Sequence, residues 1–300
     1  MIKGKETRQL SVHSAILLMA AVAVARGSSF IFSKQILAGG MEPLNLLGVR
    51  SLIAFAILMI FFGRRVISAV RADRHNLTAG AAIGFIYFLV MTLELNGLKY
   101  TTAATASFIE NSAVVLVPLA EAMLIRKLPS RVTLLCGGLS LTGIGLIAAG
   151  GMSGRIGIGE VLCLLAALLY TSAIIVTDRM ARRYDPFVIG IIYVGAMGLF
   201  GMIGSAFTET PHLPETGSQW ALMLMLAVVC SSFGFAMQPV AQRTISSEMT
   251  GLLTALNPLT TAVLGVVVLS EDFGPVRIFG AILIIAGIVI HNTNRPAVLQ

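Results

Sequence analysis

The chain has 300 residues, of which 56% are hydrophobic and only 12% charged, with a formal net charge of +7 and a mean hydropathy of +0.90. A soluble domain carries about 25% charged residues, so this composition excludes an ordinary water-soluble protein and reads as a polytopic membrane protein. The pI near 9.7 reads as a topology signal, with Lys and Arg collected in cytoplasmic loops, rather than as a nucleic-acid-binding surface.

A helix needs about 20 apolar residues to cross the hydrocarbon core. Ten stretches qualify: 12 to 34, 43 to 62, 77 to 98, 102 to 125, 131 to 151, 158 to 178, 186 to 207, 218 to 240, 249 to 269 and 274 to 292. The start, MIKGKETRQL with the apolar run to Ala25, imitates a secretory signal. The helical pattern nevertheless continues to Lys34, and removal would leave an odd number of spans. The first span carries Arg26, the second Pro43 and Arg50, and the third Glu94 with a Gly80/Gly84 pair suited to internal packing. The stretch TTAATASFIENSAVVLVPLAEAMLIRKL, from Thr101 to Leu128, is apolar enough to span yet contains Glu110, Asn111, Pro118 and Glu121. No polar stripe accompanies these groups, so they must face a protein interior or a wet cavity. Glu121 reads as a boundary residue that snorkels toward Arg126 or Lys127.

Beyond the fifth span, Gly151-Met152-Ser153-Gly154 matches the GxSG pattern of intramembrane serine proteases, but that chemistry needs a His base deep in another span. The four histidines, His13, His75, His212 and His291, are all off mid-span. Tyr170 lies in the sixth span, and Tyr193 in the seventh beside the small-residue stripe Gly198, Gly201 and Gly204. Gln238 lies in the eighth span, and Asn257 and Pro258 in the ninth. The two longest loops are the basic inner segment from Gly63 to Asn76 and the outer TETPHLPETG at 208 to 217. Cys136, Cys163 and Cys230 sit in apolar runs without CxxC spacing or a neighbouring His, so no metal site is expected. No HExxH or Walker loop is present, which argues against a metalloprotease or an ATP-driven pump, and no cofactor is expected.

With the N-terminus inside, 15 of the 21 Lys and Arg face the cytoplasm and four face outward, while Arg26 and Arg50 lie within spans. This asymmetry places both termini in the cytoplasm of a plasma or inner membrane. A shift of 144 sets Lys127 on Glu271, Ser130 on Gly274 and Gly143 on Gly287, and a shift of 143 sets Glu42-Pro43 on Asp185-Pro186. The same shift carries the first five spans onto the last five, giving units at 1–151 and 152–300. An odd number of spans per unit inverts the second copy. The expected fold is an all-α membrane protein of ten transmembrane helices, as two inverted five-helix repeats around a central cavity.

GSSF at 27–30, the Pro43 to Arg50 spacing, ASFIENSAVVLVPLAEAMLIRKLPS and LTALNPLTTAVLGVVVLSED together resemble the EamA-type drug/metabolite transporter superfamily over nearly the whole chain. One departure is Arg26, which stands where members often have Trp. The resemblance implies a ten-helix secondary carrier that exports or takes up small metabolites through a central cavity.

Helical rise places Arg26 and Glu110 roughly 12 Å deep and Arg50 roughly 10 Å deep, with Glu94 somewhat shallower. A lone charge at that depth costs about 2.5 to 3.5 kcal/mol, which pairing or water lowers. Either the four groups line a cavity, with arginines holding a substrate anion and a glutamate holding an amine or a transported proton, or they lock four helices together. Their repeat counterparts, Tyr170, Tyr193, Gln238 and Thr254, are neutral, which suggests a cavity charged toward one face and polar toward the other. Asn111 and Asn257 can contact substrate or join helices. Pro118 and Pro258 are candidate helix breaks that free carbonyls toward the cavity. The function expected is secondary transport of a small amphipathic metabolite, an amino acid, amine or related solute, by alternating access, as export and with protons as a candidate coupling ion. The partners are the solute and the lipid bilayer, without nucleic acid, and the oligomeric state is open. The alternatives are a non-transporting membrane scaffold and an intramembrane enzyme.

Overall fold

The computed structural model describes residues 10–126, 129–148, 157–269 and 274–294. In chain order these form α1 (Val12–Ala38), α2 (Pro43–Ala72), α3 (His75–Tyr100), α4 (Ala103–Glu110), α5 (Ala113–Ile125), α6 (Arg131–Ala148), α7 (Ile158–Arg183), α8 (Pro186–Thr208) and α9 (Gly217–Met225). A π-helical stretch, Leu226–Phe235, leads into α10 (Ala236–Gln242), followed by α11 (Ser247–Leu253), α12 (Leu256–Leu269) and α13 (Pro275–Asn294). No strand occurs among the described residues. The Gly151–Gly154 pattern, the Lys127 and Glu271 match and the unit boundary at 151 lie outside them.

Among the described residues, eight stretches are long and apolar enough to cross a membrane: α1, α2, α3, α4 with α5, α7, α8, α9 through α10, and α11 with α12. Two shorter apolar stretches, Arg131–Leu146 and Ile278–His291, lie in α6 and α13. The ten stretches expected from hydropathy therefore appear as eight of spanning length and two shorter ones.

The inner segment from Gly63 to Asn76, expected as a loop, is mostly helix. No proline or turn dipeptide interrupts it, and α2 continues to Ala72 with Val66 buried and Val70 packed on the core. The turn then takes only Asp73 and Arg74, closed by Asp73 Oδ1 accepting the His75 amide at 2.9 Å. The His75 amide and ring hold the Asp73 carboxyl below its ordinary value. The outer segment 208–217 is a loop as expected, and it works as a cap. Glu209 accepts the Leu44 and Asn45 amides at 2.9 and 2.7 Å, at the N-terminus of α2 where helix amides have no partner of their own.

Positions superposed by the internal repeat play matching backbone roles. Pro43 and Pro186 each open a helix behind an acidic cap residue, Glu42 or Asp185, where a missing amide costs nothing. Thr102 Oγ1 caps the Thr105 amide at 3.1 Å, and Ser246 Oγ caps Met249 at 3.2 Å. Each of these helices then breaks, at Asn111–Ser112 and at Thr254–Ala255. Of the two prolines expected to make the breaks, Pro258 acts on one, since it stands four residues past Thr254, whose carbonyl instead accepts the Asn257 amide at 2.9 Å. Pro118 lies inside α5, and Pro258 lies in the first turn of α12. The breaks come one to two turns earlier in the chain.

Close approach seats the helices around one another. A Cβ on Gly84 would stand 2.7 Å from the Tyr193 carbonyl, and one on Gly201 would stand 2.9 Å from the Gly48 amide. Small residues thus bring α3 and α2 onto α8, as the internal-packing reading of both glycine stripes expects. The first of these contacts fixes Tyr193 beside Tyr87.

Candidate functional site

Five helices and the π-helical stretch carry ionisable and aromatic side chains into one buried layer. Arg26 comes from α1, Arg50 from α2, Tyr87 and Glu94 from α3, Glu110 from the end of α4, Tyr170 from α7 and Phe235 from the end of the π-helix. Every one of these side chains is buried. A π-helical stretch is rare and tends to mark functional sites. Here its last residue faces the arginine.

Arg26 is held at its Nη1 and covered by aromatic rings. Its Nη1 donates to the Tyr170 hydroxyl and to Gln238 Oε1 at 3.1 Å, and its Nη2 lies 3.7 Å from Glu110 Oε1. The guanidinium carbon stands 4.6 Å from the centres of both the Tyr170 and Phe235 rings and 5.7 Å from that of Tyr87. Aromatic faces attract a cation, more strongly where water is excluded. The cage continues outward: Tyr87 stacks on Tyr193 at 5.1 Å and meets Phe235 edge-on at 5.7 Å. Gln238 Nε2 donates to the Tyr87 hydroxyl at 2.8 Å and to Gln242 Oε1 at 3.2 Å, and Gln242 in turn donates to the Ile174 carbonyl. Tyr193 donates to the Phe235 carbonyl.

Glu110 and Arg50 are not so provided. Neither Glu110 oxygen accepts a hydrogen bond, and the Arg50 Nε has no acceptor. The remaining Arg50 contacts are Ser33 Oγ at 3.4 Å from Nη1 and the Met91 sulfur at 3.3 Å from Nη2. Glu94 is close enough to Glu110 and to Arg50 for their charges to act on one another. Two carboxylates are both acceptors, so Glu94 and Glu110 can hydrogen-bond only when one of them holds a proton.

The two breaks meet beside this layer. Asn257 Nδ2 donates to Asn111 Oδ1 at 3.0 Å, and Asn111 Nδ2 donates to the Ser107 carbonyl at 2.8 Å. Thr261 Oγ1 donates to the Gly27 carbonyl, next to Arg26, at 2.9 Å.

Of the residues singled out in the sequence, the structure joins Arg26, Glu110, Tyr170 and Gln238 directly and reaches Tyr193 through Tyr87. It pairs Asn111 with Asn257 and leaves Pro118 and Pro258 within helices. The charged set and its neutral repeat counterparts do not form separate faces at Arg26, which bonds to two of those counterparts at once. Sequence reasoning missed Tyr87, Phe235, Gln242, Ser33 and Met91. For Tyr87 a signal exists: the chain has only five tyrosines, and a hydroxyl inside an apolar span needs a partner. Phe235 looks like any other apolar residue until the π-helical turn aims it.

The description that matches this chain is the EamA-like transporter family, found over residues 13–149 and again over 157–293. Two relatives from Archaeoglobus fulgidus, each described as an uncharacterized transporter, are similar to it. One is 26% identical over 93% of this chain and 97% of its own length, the other 27% identical over 92% and 85%. A crystal structure of a protein 18% identical superposes with a TM-score of 0.77, covering 95% of this chain and 98% of the other. At that identity the likeness is one of fold.

Proposed function

This chain belongs to the EamA-like transporter family, and on that premise we propose that it is a secondary carrier moving a small amphipathic metabolite across the plasma membrane by alternating access. A multi-pass membrane transporter implies a lipid bilayer around it and a small-molecule substrate within it. The finer reading has ten spans as two inverted five-helix repeats, at 1–151 and 152–300, around a central cavity, with both termini cytoplasmic. The solute is an amino acid, an amine or a related metabolite, and the direction is export.

The observation that carries the reading is the buried layer of Arg26, Arg50, Glu94 and Glu110. Ionisable residues inside a membrane span are expensive and mark substrate or proton paths. Aromatic walls from Tyr87, Tyr170, Tyr193 and Phe235 suit the apolar part of an amphipathic solute, and the ionisable groups suit its charged part. Broken helices that meet near mid-span are a recurrent way to build such a site, and Asn111 and Asn257 stand at that meeting point. The Glu94–Glu110 pair supplies a place for a transported proton: protonation creates the hydrogen bond between the acids and alters the charge offered to Arg26.

The test is uptake of labelled amino acids, amines and nucleosides into liposomes holding the purified protein, with and without a pH gradient, in wild type and Glu110→Gln. Movement that follows the gradient and disappears in Glu110→Gln supports a proton-coupled carrier. Movement indifferent to the gradient makes it a uniporter and the acids structural. No movement of any solute favours a scaffold.

A further inference from the structure

The two buried arginines look alike in the sequence and are treated oppositely by the fold. We propose that the Nε and Nη2 edge of Arg50 is a carboxylate-binding fork for the solute, whereas Arg26 is committed to the protein's own groups. The inference rests on the carrier reading and assigns it a substrate class, a solute bearing a carboxylate.

A guanidinium offers five N–H donors in a planar fork. On Arg26, Nη1 donates to a hydroxyl and an amide oxygen, Nη2 stands 3.7 Å from a carboxylate oxygen, and aromatic rings cover the guanidinium carbon at 4.6 Å. A solute anion at Arg26 would have to compete with Glu110 and pass the rings that cover the guanidinium. Arg50 is completely buried, at 0% exposure, and yet its Nε has no acceptor. Its Nη2 has only a thioether sulfur at 3.3 Å, a weak acceptor on a flexible side chain, and its Nη1 only a hydroxyl at 3.4 Å. No carboxylate oxygen lies within ion-pair distance of Arg50 among the described residues, although Glu94 is near enough to exert its charge. A buried donor without an acceptor is costly unless something supplies one. The unused donor, Nε, adjoins the weakly used Nη2, and together they make the side-on edge that grips two coplanar oxygens.

Charge balance selects a carboxylate over a phosphate. A monoanion at Arg50 brings one negative charge into a layer that already holds Glu94 and Glu110. A phosphate dianion would bring two against the same pair of acids, with no further cation left uncommitted among Arg26 and Arg50. The apolar remainder of the solute would extend toward Tyr87 and Tyr193, since Met91, which touches Arg50, lies one helical turn along α3 from Tyr87.

The experiment is binding, kept separate from flux. Purified full-length protein in detergent is titrated with acetate, isovalerate and benzoate and, in parallel, with acetamide, isovaleramide and benzamide, reading the thermal unfolding midpoint in wild type and in Arg50→Lys. Acids are expected to raise the midpoint saturably and their amides not. In Arg50→Lys the apparent Kd for the acids is expected to weaken by at least about tenfold, because a point charge replaces the fork. Should Arg50→Lys fail to fold, Met91→Leu serves. It removes only the weak acceptor at Nη2 and is expected to bind the acids as tightly as wild type or more so. Equal responses to acids and amides, no response to either, an unchanged Kd in folded Arg50→Lys, or lost acid binding in Met91→Leu would overturn the proposal. Acid binding without flux of any solute in liposomes would leave the fork standing and remove the carrier reading. Flux without discrimination between acid and amide would do the reverse.

Discussion

The α4–α5 and α11–α12 segments are built to one backbone plan and equipped for different work. Each begins behind a hydroxyl cap, Thr102 or Ser246, runs about two turns and breaks, and the two breaks are tied through Asn111 and Asn257. At the break of the first stands Glu110, buried, with no hydrogen bond to either oxygen. Its repeat counterpart Thr254 is equally buried but donates to the Gly251 carbonyl at 2.6 Å and so is satisfied within its own helix. Backbone geometry is thus kept in both copies, while unsatisfied ionisable chemistry is concentrated in one. The difference teaches where to look for function: in the copy whose buried polar group lacks a partner of its own.

The widest separation between the copies is expected in transport. Glu110→Gln is expected to lower solute flux about tenfold or more, since it removes the acid that faces Arg26 and Glu94, whereas Thr254→Val leaves flux close to wild type. Liposome uptake of one solute by both variants checks this, and equal losses would erase the asymmetry. Next in size is Arg26→Leu, which leaves Glu110 buried without its cation and is expected to destabilise by about 3 kcal/mol or more. Thermal unfolding in detergent measures it, with rescue expected in the double variant Arg26→Leu/Glu110→Gln. Asn257→Ala is expected to cost about 1.5 kcal/mol, because Asn111 loses its partner across the two breaks. The smallest effects fall on the caps: Thr102→Ala and Ser246→Ala each cost about 1 kcal/mol. These two should be equal to one another, and a clear inequality would show that the shared backbone plan does not carry equal weight in both copies.

Much of the architecture is legible residue by residue. Among the described residues the apolar stretches fall largely within helices, and Glu42-Pro43 and Asp185-Pro186, picked out as a repeat match, both prove to be helix starts. Hydropathy misplaces the segment after Gly63, because a helix can leave the apolar slab without ending. Arg65 instead continues α2 and reaches Asp185 at 3.0 Å, with Phe187 beneath its guanidinium at 4.8 Å. Proline is a guide to one break only: Pro258 lies four residues past Thr254, whereas the break beside Glu110 falls at Asn111 and Ser112, well before Pro118.

What the sequence determined by itself is local: span positions, caps, the repeat, and the presence of four ionisable groups within apolar spans. These follow from a residue's own transfer cost and its near neighbours, which chain order contains. The tertiary structure decided which groups are satisfied. Arg26 finds Tyr170 and Gln238 from 144 and 212 positions away, while Arg50 finds only Ser33 and Met91. Both arginines cost the same to place in an apolar span, and chain order makes no distinction between them. The packing of α1 against α3, α4, α7, α10 and the π-helical stretch supplies one with acceptors and aromatic faces and leaves the other with donors to spare, because a partner's position depends on helix crossings rather than on sequence spacing.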